Sequence, residues 1–147
     1  RMWFYGLQQP LTDEQAQVLS GLMDDFVGQW KAHGAQLAAA YRIIGNQCLI
    51  IAVDERQQQA TGCSIDKSVH LLMEFGQQYG VDFFNRMLIF TADINGIQAY
   101  TPTRLKAAIA SGEMTPETPV MHTLAPTLGA SGTGMIPLSE SWAKRYL

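Results

Sequence analysis

The stretch from Gly45 to Gly80 constrains this chain most. Within it Cys48 to Val53 is almost unbroken aliphatic, the composition of a strand buried on both faces. The run ends in Asp54 and Glu55, continues through a polar loop, RQQQAT, and regains order at Gly62, Cys63 and Ser64, where a helix begins. A central strand, its polar end and a helix N-terminus are thereby brought close together. Any reactive or ligand-binding site is expected at that rim.

Flanking segments supply the partners. Met2 to Leu7 is short and aromatic-rich, hence a strand. Thr12 then caps a helix, with Gln15 three residues on to reach back and Asp13 and Glu14 at the positive dipole end. Leu19, Leu22, Met23, Phe26 and Trp30 follow at three- and four-residue spacing as one apolar stripe, and Gly34 is expected to stop the helix near His33. Ala39 to Ile44 reads as a second strand, and Gly45-Asn46 as the positive-φ pair of a tight hairpin into the third. Ser64 to Tyr79 is a helix with Ile65, Val69, Leu72 and Tyr79 on one side. Gly76 lies on that side and permits close packing on a sheet. Met87 to Ala92 is a fourth strand. The order β-α-β-β-α-β predicts an α+β, ferredoxin-like antiparallel sheet under two helices, with strands ordered 4-1-3-2.

Residues 1–86 would form this unit and 87–147 a smaller strand–helix–strand module. Asp93 to Gly96 signals a hairpin, and Thr101-Pro102 starts a helix with Pro in its first turn. Gly112 ends that helix, and Val120 to Leu124 is a short strand. The small-residue run 125–134, APTLGASGTG, is expected to be a mobile loop. Leu138, Trp142 and Tyr146 close the chain at i, i+4, i+8 spacing.

Two resemblances attach to these residues. AYTPTRLKAAIASGEMTPETPVM, within Gly96 to Met121, resembles the "GYF domain 2" type of module, with Met121 where a tryptophan is common. That resemblance implies protein–protein contacts beside another domain. Through QWKAHG, LIIAVDE, GCSIDKSV and SWAKR, the whole chain resembles short bacterial proteins labelled "ABC transporter ATPase". The residues do not support an ATPase. A phosphate-binding loop needs Lys and Ser/Thr after its glycines, whereas GASGTG runs into MIPLS.

Composition narrows the function classes. With 47% hydrophobic and 16% charged residues among 147, the chain has the makeup of a globular domain. A net charge of −3 lacks the basic footprint of a nucleic-acid binder. No apolar run approaches the roughly 18 residues of a membrane span, and no secretory leader pattern is visible. Two cysteines, Cys48 and Cys63, make no disulfide framework, which suits a reducing cytoplasmic setting.

Candidate chemistry centres on Cys63, whose thiolate a helix N-terminus would favour. His33, or Asp54 at the strand end, could assist it in thiol or acyl chemistry. Against this, Cys and Ser are ordinary at a helix start, and Asp66 in the first turn opposes a thiolate. Asp54 and Glu55, adjacent on a strand, point to opposite faces, and His33, His70 and His122 are scattered, so neither a metal site nor a cofactor is expected. Amides at Ser64 to Asp66 could hold an anion, which Asp66 again opposes. Trp30 fits the core stripe of its helix. Trp142, Arg145 and Tyr146 are the aromatic and cationic types that anchor interfaces. The helix-free face of the expected sheet must also be covered, by the second unit, the tail or a second copy. The expected function is a non-catalytic protein-interaction or assembly module, binding a protein partner or itself as a homodimer. The alternative is a small thiol-dependent enzyme built on Cys63, His33 and Asp54.

Overall fold

A computed structural model describes residues 1–147. The chain forms β1 (Met2–Gly6), α1 (Asp13–Gln29), β2 (Lys31–Ala32), β3 (Ala35–Gln36), β4 (Ala38–Ile44), β5 (Cys48–Asp54) and α2 (Gly62–Tyr79). It continues through β6 (Ile89–Asp93), β7 (Gly96–Tyr100), α3 (Pro102–Ala110), β8 (Pro119–Met121), α4 (Leu128–Ser131) and β9 (Met135–Pro137), and closes in two 3₁₀ turns, Leu138–Glu140 and Trp142–Tyr146. Helices and small antiparallel sheets make this an α+β protein.

The aliphatic run is the central strand. β5 pairs antiparallel with β1 on one side and β4 on the other, giving the order β1-β5-β4. Leu49, Ile51 and Val53 face the two helices, in a core with Leu19, Met23, Trp30, Leu72 and Phe75. Burying a ring such as Phe75 contributes about 1.5–3 kcal/mol. The indole N–H of Trp30 donates to the Ser64 carbonyl at 2.7 Å, tying the end of α1 to the start of α2.

Local signals act as their chemistry dictates. Thr12 and Gln15 make both bonds of a capping box, and Gly45 and Asn46 take φ of 58° and 55°. Asp93 faces Gly96 across the β6–β7 turn. Thr101 caps α3, with Pro102 at its start.

Four expectations are corrected. α1 ends at Gln29, not near His33. Trp30 is already extended, and His33 and Gly34, at φ 51° and 75°, form the turn between β2 and β3. Leu22 is 41% exposed, because Leu19 and Met23 point α1 at the sheet. On α2 the fully buried positions are Ser64, Ser68, Leu72 and Phe75 rather than Ile65 and Val69. The two serine hydroxyls bond back to the Thr61 and Ile65 carbonyls, so small satisfied side chains meet the core. Gly76 makes room for the Val81 carbonyl, 2.4 Å from where a Cβ would lie, rather than for the sheet.

The expected fourth strand is displaced to Ile89–Asp93 and does not join β1. It pairs with β7, because the four-residue turn at Asp93 to Gly96 gives it a closer partner in sequence. The hairpin packs on the helix-free face of the first sheet. Side chains of β1 alternate: Trp3 and Tyr5 meet Trp30 and Phe84, and Phe4 meets Phe90 from the opposite face. Cys48, Phe90, Ala99 and Met121 form a core between the layers. Only the Gly6–Cys48–Ile44 end of that face is covered; Ala40 and Arg42 remain exposed.

The run 125–134 is structured in part. Thr127 caps the short α4, and the chain returns as β9 to pair with β8. Met2 N–H donates to the Pro126 carbonyl at 2.9 Å, so this loop meets the outer edge of β1 at its first residue.

Candidate functional site

A cavity opens at the end of the central strand, and no residue of α2 lines it. An open cleft of about 750 Å³ lies among Met2 to Phe4, Val53 to Arg56, Arg86 and Thr123 to Thr127. It is formed where the end of β5 meets the start of β1 and the loop after β8. Within it Leu124 stands 60% exposed, and the Arg1 guanidinium lies 5.0 Å from the Trp3 ring centroid.

Its charges are unevenly used. Asp54 is gripped by Arg56 through side-chain and backbone bonds, which hold its carboxyl down at about 2. Glu55 accepts the Ala60 N–H at 2.9 Å. Both carboxylates of the cleft are thus engaged within their own loop. Arg86 has no carboxylate partner, as Arg56–Asp54 is the one ion pair of the chain. The free electrostatic character of the cleft is cationic.

The thiol candidates are not brought together. Cys63 is exposed in the first turn of α2 and makes no side-chain hydrogen bond, and neither does His33, at the tip of the β2–β3 turn. Asp54 turns to Arg56 and lines the cleft, which neither Cys63 nor His33 reaches. The cap of α2 is Thr61, not Ser64. Thr61 Oγ1 accepts the Ser64 N–H at 3.2 Å, and Ser64 Oγ accepts the Thr61 N–H at 2.7 Å. Ser64 is buried in this box and Asp66 is exposed beside it. Cys48 is buried against the Met121 sulfur at 3.9 Å, and burial pushes its thiol up to about 12. No group of three His, Cys, Asp or Glu side chains is placed to hold a metal ion.

At the C-terminus, Trp142 and Tyr146 pack half-buried on the core beneath α3, their rings edge-on at 6.3 Å. The Arg145 guanidinium lies 5.8 and 4.9 Å from their centroids and donates to the Tyr146 hydroxyl at 2.8 Å. Lys106 approaches the same ring at 5.4 Å. The tail therefore docks on its own unit and presents a cation-faced aromatic edge.

Arg56, Arg86, Trp3 and Leu124 were not legible as site residues, because folding alone brings three distant segments together. No helix is long and apolar enough to cross a membrane. The sequence matches no protein-family model, no curated protein and no solved structure.

Proposed function

We propose that this chain is a non-catalytic protein-interaction module, and that the cleft between β1, the end of β5 and the Thr123–Thr127 loop receives the partner. One observation carries the reading: this cleft of about 750 Å³ offers an exposed leucine, aromatic rings and an unpaired arginine, and its two carboxylates are already engaged. Apolar anchors beside Arg are the residue types that dominate protein interfaces. The partner segment is accordingly apolar with acidic residues. The order β1-β5-β4 supports reading the first unit as a ferredoxin-like sheet whose fourth position is filled by coil. The β6–α3–β8 segment is read as a GYF domain 2-like module seated on it. Two unpaired cysteines support a cytoplasmic setting.

The test is affinity purification on the full chain, run beside Leu124→Asp and Arg86→Glu, both at exposed positions. A protein retained by the parent chain and lost from both variants supports the cleft. Equal retention by all three, or none by the parent, overturns it.

The second reading is a thiol enzyme based on Cys63, which would need assistance from His33 or Asp54, neither of them bonded to it in this structure. It is favoured by the exposure of Cys63 in the first turn of α2, where free amides stabilise a thiolate. Its alkylation rate against pH decides: a midpoint well below about 8.5 supports catalysis, and an ordinary midpoint removes it.

A further inference from the structure

We propose that two copies of this chain join through β4, antiparallel, about a twofold axis at Tyr41. The proposal is independent of the cleft and of what binds there.

The register identifies the free groups. Val53 N–H donates to the Arg1 carbonyl and the Arg1 nitrogen to the Val53 carbonyl, both at 2.8 Å, so alternate residues from Val53 back to Leu49 bond to β1. The residues between them, from Cys48 to Asp54, bond to Ile44, Arg42, Ala40 and Ala38 of β4. The N–H and C=O groups of Ala39, Tyr41 and Ile43 therefore point outward, and the sheet ends there. The Tyr41 ring does not obstruct them. Its hydroxyl is held up against α1 by Ser20 and Asp24.

The two edges of this sheet are treated differently. On β1, whose outward groups are those of Met2, Phe4 and Gly6, the Met2 N–H is taken by the Pro126 carbonyl and Gly6 lies against the Phe90 ring. The edge of β4 is open over seven residues with no proline, no glycine and a single charge, Arg42. Proteins protect exposed edges with charges, prolines, bulges or covering loops, and β4 has almost none of these devices.

The sequence of β4 indicates what covers it. AAAYRII has three small residues on one side of Tyr41 and three large ones on the other. Antiparallel pairing about Tyr41 sets Ala38 against the partner's Ile44, Ala39 against the partner's Ile43 and Ala40 against the partner's Arg42. Each large side chain thus lies over a small one on both faces of the joined sheet. Shifting the axis to Arg42 would oppose two like charges, and shifting it to Ala40 would leave residues unpaired at both ends. The strand is complementary to itself in one register, as an isologous contact requires. Two α1 helices approach across this contact, each with Asp13, Glu14, Asp24 and Asp25 and no Lys or Arg. Added salt should therefore strengthen the association.

The experiment is light scattering on the full chain at tens of micromolar, with sedimentation at several salt concentrations. The mass of two chains is expected for the parent; one-chain mass overturns the proposal. Ala39→Pro removes an outward N–H that no bond within the chain uses, and should give monomer. Ala40→Lys places a cation opposite the partner's Arg42 twice per pair and should weaken association about tenfold, and Ala40→Glu should strengthen it by a similar factor. Should Ala39→Pro fail to fold by circular dichroism, the exposed Ala40 pair decides. A dimer that Ala39→Pro leaves intact, or whose affinity ignores the charge at position 40, overturns the proposal.

Discussion

Gly6 lies directly beneath the ring of Phe90, so that a Cβ on Gly6 would come within 2.2 Å of Phe90 Cζ. Here the β6–β7 hairpin packs against the first sheet. Gly6→Ala should cost about 1–3 kcal/mol through overpacking, measured by urea unfolding. Phe90→Ala removes the obstacle along with its packing, and the double variant should be no less stable than Phe90→Ala alone. Additive losses would show that Gly6 answers to some other constraint.

The two cysteines should behave oppositely. Cys63 should react with a thiol reagent in the folded protein, and Cys48 only after unfolding, since it is 1% exposed with its thiol pushed up to about 12. A thiol raised in the fold contributes stability that is complete below its unfolded pKa, about 8.5, and is lost as pH rises toward 12. Stability should fall over that alkaline window, and Cys48→Ala should flatten the fall. Two equivalents labelled at once under native conditions would contradict the buried placement.

Trp30→Phe keeps a ring between Trp3 and Phe26 but removes the N–H that reaches the Ser64 carbonyl. A loss of about 1–2 kcal/mol is expected from the bond and the missing volume. Amide exchange should quicken in the first turn of α2. Unchanged exchange there would mean the bond does not hold the two helices in register.

The Asp54 carboxyl should titrate at about 2 in carbon NMR, and Arg56→Ala should return it toward the ordinary carboxylate range. Because pairing lowers the folded carboxyl, any stability it contributes is present above the unfolded pKa and lost as pH falls toward 2. Both side chains are solvated, 88% and 42% exposed, so the effect on unfolding should be small and screened by salt. A large loss of stability in Arg56→Ala would give this pair a structural role.

Signals acting over a few residues were legible in the chain. Thr12 with Gln15, the positive-φ pair Gly45-Asn46, the hairpin at Asp93 to Gly96 and the Thr101-Pro102 start each have a chemistry that their neighbours cannot override. The aliphatic density of Cys48 to Val53 placed it between two strands. What the chain did not reveal depends on competition between distant segments. α1 ends before the glycine expected to stop it, and Trp30, already extended, sends its indole to Ser64 of the distant second helix. β6 pairs with β7, as its turn signals, but not also with β1, and the absence of that second pairing is what no local pattern encodes. The cleft was hidden for the same reason: Arg86 and Leu124 become its walls only after the segments that carry them fold back on β1 and the end of β5.

The bond from Met2 to Pro126 has a consequence for how this protein can aggregate. A sheet extendable from one side alone cannot polymerise. After two chains have met at β4, that strand is spent in both, and at each far side of the six-stranded product the Met2 N–H is already taken by the Pro126 carbonyl. Growth through β4 halts at a pair, because a twofold contact uses the same strand of both chains, where a head-to-tail contact could have run on into a fibre.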